Sequence, residues 1–141
     1  MPADGGEARQ VTTCGGSLVH ESIDGKSLYY TKGRNVAGIW RVSVEGGEET
    51  LILDTHKAGY WSAWTVVPQG IYFLTAEPLA HPAIEFFSFT TGRVTEVVAL
   101  AKPFKPWTNP EGLSVSADGR WILYTQEDRA DMDIMLVENF R

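Results

Sequence analysis

Apolar and polar positions along the chain form three short runs of aromatic and branched residues, and each run ends in threonine. The runs occupy positions 28–31, 72–75 and 122–125. Each follows a turn signal that ends in glycine, namely Asp24-Gly25, Gln69-Gly70 and Asp118-Gly119. A β-rich run directly after such a turn is typical of the second strand of a hairpin. The pattern therefore predicts three hairpins at regular spacing.

Further strand signals surround each run in the same order. An isoleucine comes eight or nine residues after each threonine, at Ile39, Ile84 and Ile134. These isoleucines begin strand-like runs at 39–44, 84–89 and 134–137. Fourth strands are predicted at 49–53 and 94–100, and first strands at 17–21, 61–66 and 113–116. No segment of ten or more residues has a clear helical period. The chain is therefore predicted to be all-β, with a four-stranded antiparallel meander that recurs about every 45–50 residues, as in β-propeller blades.

The two ends of the chain suggest how these blades are completed. The turn Asp4-Gly5-Gly6-Glu7 matches Glu45-Gly46-Gly47-Glu48, so a strand with no blade in front of it is predicted to follow. The third blade lacks a fourth strand, which would begin beyond Arg141. Within one domain, 1–141, the predicted units are a strand at 7–13 and blades at 16–54, 60–100 and 112–138. The N-terminal strand would complete the last blade.

Three blades are fewer than the roughly four to eight of closed propellers. Unclosed blades would also expose apolar side chains such as Trp121 and Leu123 to water. Two arrangements relieve this exposure: a longer propeller, or two copies joined head to tail as a six-bladed homodimer. In the second arrangement, residues 8–13 of one copy would pair with the third blade of the other.

The third blade carries the most specific motif. It reads Gly112-Leu-Ser-Val-Ser-Ala-Asp-Gly-Arg-Trp-Ile-Leu-Tyr-Thr125, followed by Asp133-Ile-Met-Leu-Val137. This stretch resembles the TolB-type WD40-like β-propeller repeat family, and the resemblance extends over about residues 4–140, as in the C-terminal part of a longer propeller. The second blade departs most, because Pro68-Gln69-Gly70 replaces Asp-Gly and Glu85 follows Ile84.

The resemblance implies a non-catalytic scaffold that binds a protein or peptide partner. It also implies a periplasmic or other extracytoplasmic location, provided that the chain is exported by a signal upstream of residue 1. The alternative to a scaffold is an enzyme, of one of two kinds. One is a metal-dependent propeller lyase or lactonase, and the other is the propeller part of a prolyl oligopeptidase-like hydrolase.

Composition narrows the classes of partner. The formal net charge is −6 and the pI is about 5.0, so the surface repels phosphate backbones and nucleic-acid binding is not expected. No apolar run approaches the roughly 18 residues of a membrane span, so no membrane insertion is expected. Cys14 is the single cysteine, which excludes an internal disulfide.

Residues with catalytic or metal-binding chemistry are scattered. Ser17 and His20 are three apart on a predicted strand, where alternation places them on opposite faces. His20, His56 and His81 lie on separate elements, whereas a zinc site needs about four convergent ligands. The acidic stretch 127–133 lacks the glycine and terminal glutamate of an EF-hand loop. We therefore predict no catalytic residue, metal or cofactor, and the chain is not expected to be an enzyme.

Aromatic residues between the predicted blades are the best binding candidates. Segments that join one blade to the next line one end of the channel in propellers, where aromatic and basic side chains can hold a peptide or a sugar. The candidates are His56, Tyr60, Trp61, Phe104, Lys105 and Trp107. For Trp61, and for Trp64 beside it, the competing interpretation is packing between neighbouring blades.

Overall fold

The computed structural model of the chain describes residues 5–33, 36, 38–54, 63–75, 82–101, 113–116 and 118–124. These residues form ten β-strands and no helix, arranged in three antiparallel sheets of four, four and two strands. The first sheet contains β1 (Ser17–Glu21), β2 (Ser27–Thr31), β3 (Ile39–Ser43) and β4 (Thr50–Leu53). The second contains β5 (Trp64–Val67), β6 (Gly70–Thr75), β7 (Ala83–Ser88) and β8 (Val94–Ala99). The third contains β9 (Leu113–Val115) and β10 (Ile122–Tyr124).

Each sheet is a meander in which consecutive strands are neighbours. The first hairpin turns of the first and third sheets have the same internal hydrogen bond. The Ser22 hydroxyl donates to Asp24 Oδ1 over 2.7 Å, and the Ser116 hydroxyl donates to Asp118 Oδ1 over 2.5 Å. The glycine after each aspartate has a φ of +68°, a conformation that other residues adopt at a cost. The Ser-x-Asp-Gly sequence therefore specifies the same turn twice.

The threonines that end the first two apolar runs are buried and serve the main chain. The Thr31 hydroxyl donates to the Ser17 carbonyl oxygen over 3.1 Å, which ties β2 to β1. The Thr75 hydroxyl donates to the Ala83 carbonyl oxygen, also over 3.1 Å, which ties β6 to β7. A buried hydroxyl needs such a partner, and threonine supplies it without leaving the strand conformation.

The second sheet lies between the other two, and the alternation of side chains along β6 explains how. Ile71 and Phe73 are fully buried on the face toward the first sheet, in a core with Tyr29, Ile39, Leu53 and Trp64. Leu74 points to the opposite face, in a core with Ala63, Ile84 and Leu113, against which Ile122 packs. The first strands of consecutive sheets also touch, β1 with β5 and β5 with β9. The sheets therefore stack face to face in chain order.

The all-β prediction is confirmed, and the ten strands lie within a few residues of their predicted positions. No closed ring is seen in the described ranges, and the predicted strand at 134–137 falls outside them. The predicted strand at 7–13 differs from the structure. Residues 5–16 are all described and form no strand. Instead, Arg9 is hydrogen-bonded to Glu45 and Thr13 to Glu49, both of which lie between β3 and β4. This segment has too few apolar side chains to gain stability by packing one face against a core, as a strand does.

Candidate functional site

The six binding candidates from the sequence lie outside the described residues, so the structure neither unites nor separates them. Trp64, for which packing was the alternative, is described. It is 1% exposed and sits in the core between the first and second sheets. Packing is therefore the role of Trp64, as that alternative predicted.

Ser17 and His20 do not form a nucleophile–base pair. The His20 ring lies edge-on to the Trp64 ring, with centroids 4.6 Å apart, and its Nε2 is buried without a hydrogen-bond partner. Burial lowers the pKa of His20 below its ordinary value, and a hydrogen bond to the main chain of Trp64 opposes this in part. The simple alternation argument fails here, because Leu18 has a φ of +31° and the register shifts between Ser17 and Val19. The ring nevertheless faces the second sheet and serves packing.

Among the described residues, the first and third sheets lie at the two ends of the stack, and each has one face that points away from the second sheet. On the first sheet, the cross-strand pairs Val19–Tyr30, Tyr30–Trp40 and Trp40–Leu51 place these four side chains on one face. This face is opposite to the one that carries Tyr29, which packs toward the second sheet. We call the side of Val19, Tyr30, Trp40 and Leu51 the first outer face. Val19 and Leu51 are exposed there, whereas Tyr30 is buried.

The corresponding face of the third sheet is more exposed. Ile122 packs toward the second sheet, so its neighbours Trp121 and Leu123 point the other way. Trp121 is 65% exposed and Leu123 is 67% exposed. We call these two residues the last outer face. These two side chains form a small exposed apolar patch on the described part of this sheet.

A polar cluster lies at the first outer face. It is centred on Glu49, just before β4. The Lys32 ammonium is 2.6 Å from Glu49 Oε2, and the two side chains are only 11% and 9% exposed. The other carboxylate oxygen, Oε1, accepts the main-chain N–H of Thr13 at 2.8 Å and the Thr13 hydroxyl at 3.2 Å. We call Thr13, Tyr30, Lys32, Trp40 and Glu49 the Glu49 cluster.

Aromatic rings surround this ion pair. Lys32 Nζ lies 3.6 Å from the centroid of the Trp40 ring, which is within the range of a cation–π interaction. The chain approaches Trp40 closely at Gly38, where φ is +118° and a Cβ would lie 3.0 Å from Trp40 Nε1. That indole nitrogen is buried with no hydrogen-bond partner, whereas the Tyr30 hydroxyl interacts with the Glu49 carboxylate. The cluster thus has one donor that is left unpaired.

The electrostatics of the cluster keep Glu49 ionised. The hydrogen bond from Lys32 and that from the Thr13 main chain lower the pKa of Glu49 to about 2, against a smaller opposing effect of burial. Burial, followed by the nearby Glu49 carboxylate, raises the pKa of Tyr30 well above its ordinary value. A carboxylate so strongly held in its charged form is a poor general acid or base near neutral pH. Glu49 is therefore suited to holding its hydrogen-bond partners rather than to proton transfer.

The N-terminal segment is held against this face by side chains. The Arg9 guanidinium donates to the Val44 carbonyl oxygen over 2.6 Å and to Glu45 Oε2 over 2.9 Å. With the Thr13–Glu49 bonds, these contacts anchor both ends of residues 9–13, which we call the N-terminal strap. Just after the strap, a Cβ at Gly16 would lie 3.4 Å from a Tyr30 ring carbon and 3.6 Å from the Thr12 hydroxyl. The chain therefore passes over Tyr30.

None of the Glu49 cluster was predicted from the sequence. Its members come from four separate segments, and Thr13 and Glu49 are 36 residues apart. The repeat between the sheets gives no signal for this cluster either. In the second sheet, Glu85 stands at the position that matches Trp40, and Val94 stands at the position that matches Glu49. Only the folded structure brings these residues together.

Grouped metal-binding side chains and membrane-spanning helices are both absent from the described ranges. Within them, no three or more His, Cys, Asp or Glu side chains are grouped so that they could hold a metal ion. The same residues contain no helix that is long and apolar enough to span a membrane. Comparisons with protein-family models, with curated proteins and with solved structures gave no match for this chain.

Proposed function

We propose that the chain is a set of β-propeller blades of the TolB-like type, and that it acts as a non-catalytic scaffold for a protein partner. The observation that carries this proposal is the pair Trp121 and Leu123 on the last outer face. Two large, exposed apolar side chains on a sheet face favour a macromolecular partner over a small ligand, which needs a concave site. The extracytoplasmic location stays a prediction.

The partner that best fits this face is a second copy of the chain. The first sheet already packs on the second, and the second on the third, by the same face-to-face contact. Continuing that contact would place the last outer face of one copy against the first outer face of another. Two head-to-tail contacts would then give six blades, which is within the range of about four to eight for closed propellers.

Charge is compatible with such an assembly. The net charge of −6 makes two chains repel at long range, so the contact must depend on apolar burial rather than on electrostatic steering. The last outer face is suited to this, because its two exposed residues are uncharged. The contact should therefore persist at high salt.

The test is the solution mass, measured by light scattering over a concentration series. We expect a mass that rises toward twice the 15.6 kDa of one chain, and that falls back when Trp121→Ser and Leu123→Ser are combined. A control with Val97→Ser and Val98→Ser removes two exposed apolar residues of β8 and should leave the mass unchanged. A mass that stays at one chain, even when the N-terminal contacts to the first sheet are removed, would refute the two-copy assembly.

A further inference from the structure

The first outer face is already partly covered by the chain itself. Tyr30 is buried although it points away from the second sheet, and the segment that precedes β1 lies against it. The strap is fixed at Thr13 to the Glu49 cluster and at Arg9 to the turn between β3 and β4. The face that a second copy would need is thus occupied at the edge nearest β4.

We propose that the N-terminal strap is an autoinhibitory element, which competes with the last outer face of a second copy for the first outer face. This inference rests on the proposed function, because it names the regulation of that same contact. Release of the strap opens the face, and association then proceeds. When the strap is seated, the chain is held in its less associated form.

The anchors of the strap are suited to reversible release. The Arg9–Glu45 pair is exposed on both sides, and exposed ion pairs hold weakly. The strap forms no β-ladder with the first sheet, and Val11 is its one large apolar residue. The Thr13–Glu49 bonds are exposed as well, although the Glu49 side chain is itself largely buried. An element with few anchors and little apolar burial opens at low cost.

The surface beneath the strap is equipped for a replacement partner. Trp40 Nε1 is a buried donor without a partner, and Glu49 loses the N–H and hydroxyl of Thr13 when the strap leaves. Buried polar groups favour an arrangement that pairs them. The last outer face brings apolar side chains and also the exposed Ser114 hydroxyl, which lies opposite Leu123 in the ladder and can pair with one of these atoms.

The experiment uses the full chain with the strap anchors removed by Arg9→Ala and Thr13→Pro, because proline lacks both the hydroxyl and the main-chain N–H that bond to Glu49. The matched control is Arg93→Ala with Thr95→Val, which removes the same side chains near β8 of the second sheet and changes the net charge equally. A spin label on Cys14, the single and exposed cysteine, reports the mobility of the strap. Sedimentation equilibrium reports the dissociation constant of the dimer.

We expect the label to become mobile in the strap variant. The dimer dissociation constant should fall about tenfold if the face is open about one tenth of the time, because a covering element lowers apparent affinity in proportion to the fraction of time that the face is open. Adding Trp121→Ser to the strap variant should reverse the gain. Unchanged mobility would show that these contacts do not hold the strap, and would overturn the inference. Higher mobility with an unchanged dissociation constant would also overturn the inference. In either case, the proposed function would still stand if Trp121→Ser alone abolishes association. Single-chain mass in every variant would overturn both.

Discussion

Trp64 and Trp121 provide a direct test of the stacked arrangement, because they are the same residue in opposite environments. Trp64 is 1% exposed in the core between the first and second sheets, and Trp121 is 65% exposed on the last outer face. Truncating a buried tryptophan to alanine removes its transfer free energy and leaves a cavity, which together cost about 3–5 kcal/mol. Truncating an exposed one should change the free energy of unfolding by less than about 0.5 kcal/mol.

The predicted loss for Trp64→Ala is a large part of the whole stability, since domains of this kind unfold with about 5–15 kcal/mol. For about 140 residues, each kcal/mol shifts the melting temperature by roughly 3–5 °C, so a drop of about 10 °C or more is expected. Urea unfolding followed by far-UV circular dichroism measures the effect without depending on tryptophan fluorescence. Low protein concentration keeps association from contributing.

The partner variant Trp121→Ala separates stability from association. It should unfold at the wild-type urea midpoint when dilute, yet show a lower mass than wild type when concentrated. Equal destabilisation by both substitutions would refute the assignment of Trp64 to an inter-sheet core. A small effect of Trp64→Ala, below about 1 kcal/mol, would refute the face-to-face packing itself.

Three further predictions concern single positions. Gly70→Ala should cost about 1–3 kcal/mol or more in urea unfolding, because a Cβ would collide with the Phe87 carbonyl oxygen, whereas Gly16→Ala meets only ordinary contacts and should be nearly neutral. His20 has a lowered pKa in the folded chain, so the unfolded chain binds the proton first as the pH falls. The contribution of neutral His20 to the free energy of unfolding should be complete above about pH 6.5 and should decrease below it. His20→Asn should flatten that decrease in urea midpoints measured from pH 7.5 to 5. Glu49 has a pKa of about 2 against an ordinary 4.5, so its contribution is present above pH 4.5 and is lost as the pH falls toward 2; Glu49→Gln should show a shallower acid transition by circular dichroism.

The strands could be predicted because their signals are local. The Asp24-Gly25 turn needs an aspartate and a glycine within a few residues, and the hydrogen bond from Ser22 that completes it is equally close in sequence. The alternation of Ile71 and Phe73 with Leu74 likewise reveals a strand buried on both faces. Each of these patterns is complete before any long-range contact forms.

The Glu49 cluster has no such signal, since its energy depends on contacts between distant segments. A lysine after one strand and a glutamate before another are ordinary surface residues in the sequence. They become a shielded pair only because β2 and β4 both flank β3 in the first sheet. The aromatic candidates chosen from the sequence lie outside the described residues, so their assignment stays a prediction.

The N-terminal segment shows how a matching turn can mislead. The turn at 4–7 resembles the one at 45–48, and a strand follows the second of these, so a strand was expected after the first. What makes residues 50–53 a strand is their run of apolar side chains, two of which pack toward the first core. Residues 8–13 have one large apolar side chain, Val11, and cannot offset the entropy of ordering by burial. Their order depends on the hydrogen bonds of Arg9 and Thr13 instead. Because so few contacts hold them, these residues should detach from the first sheet more readily than its strands separate.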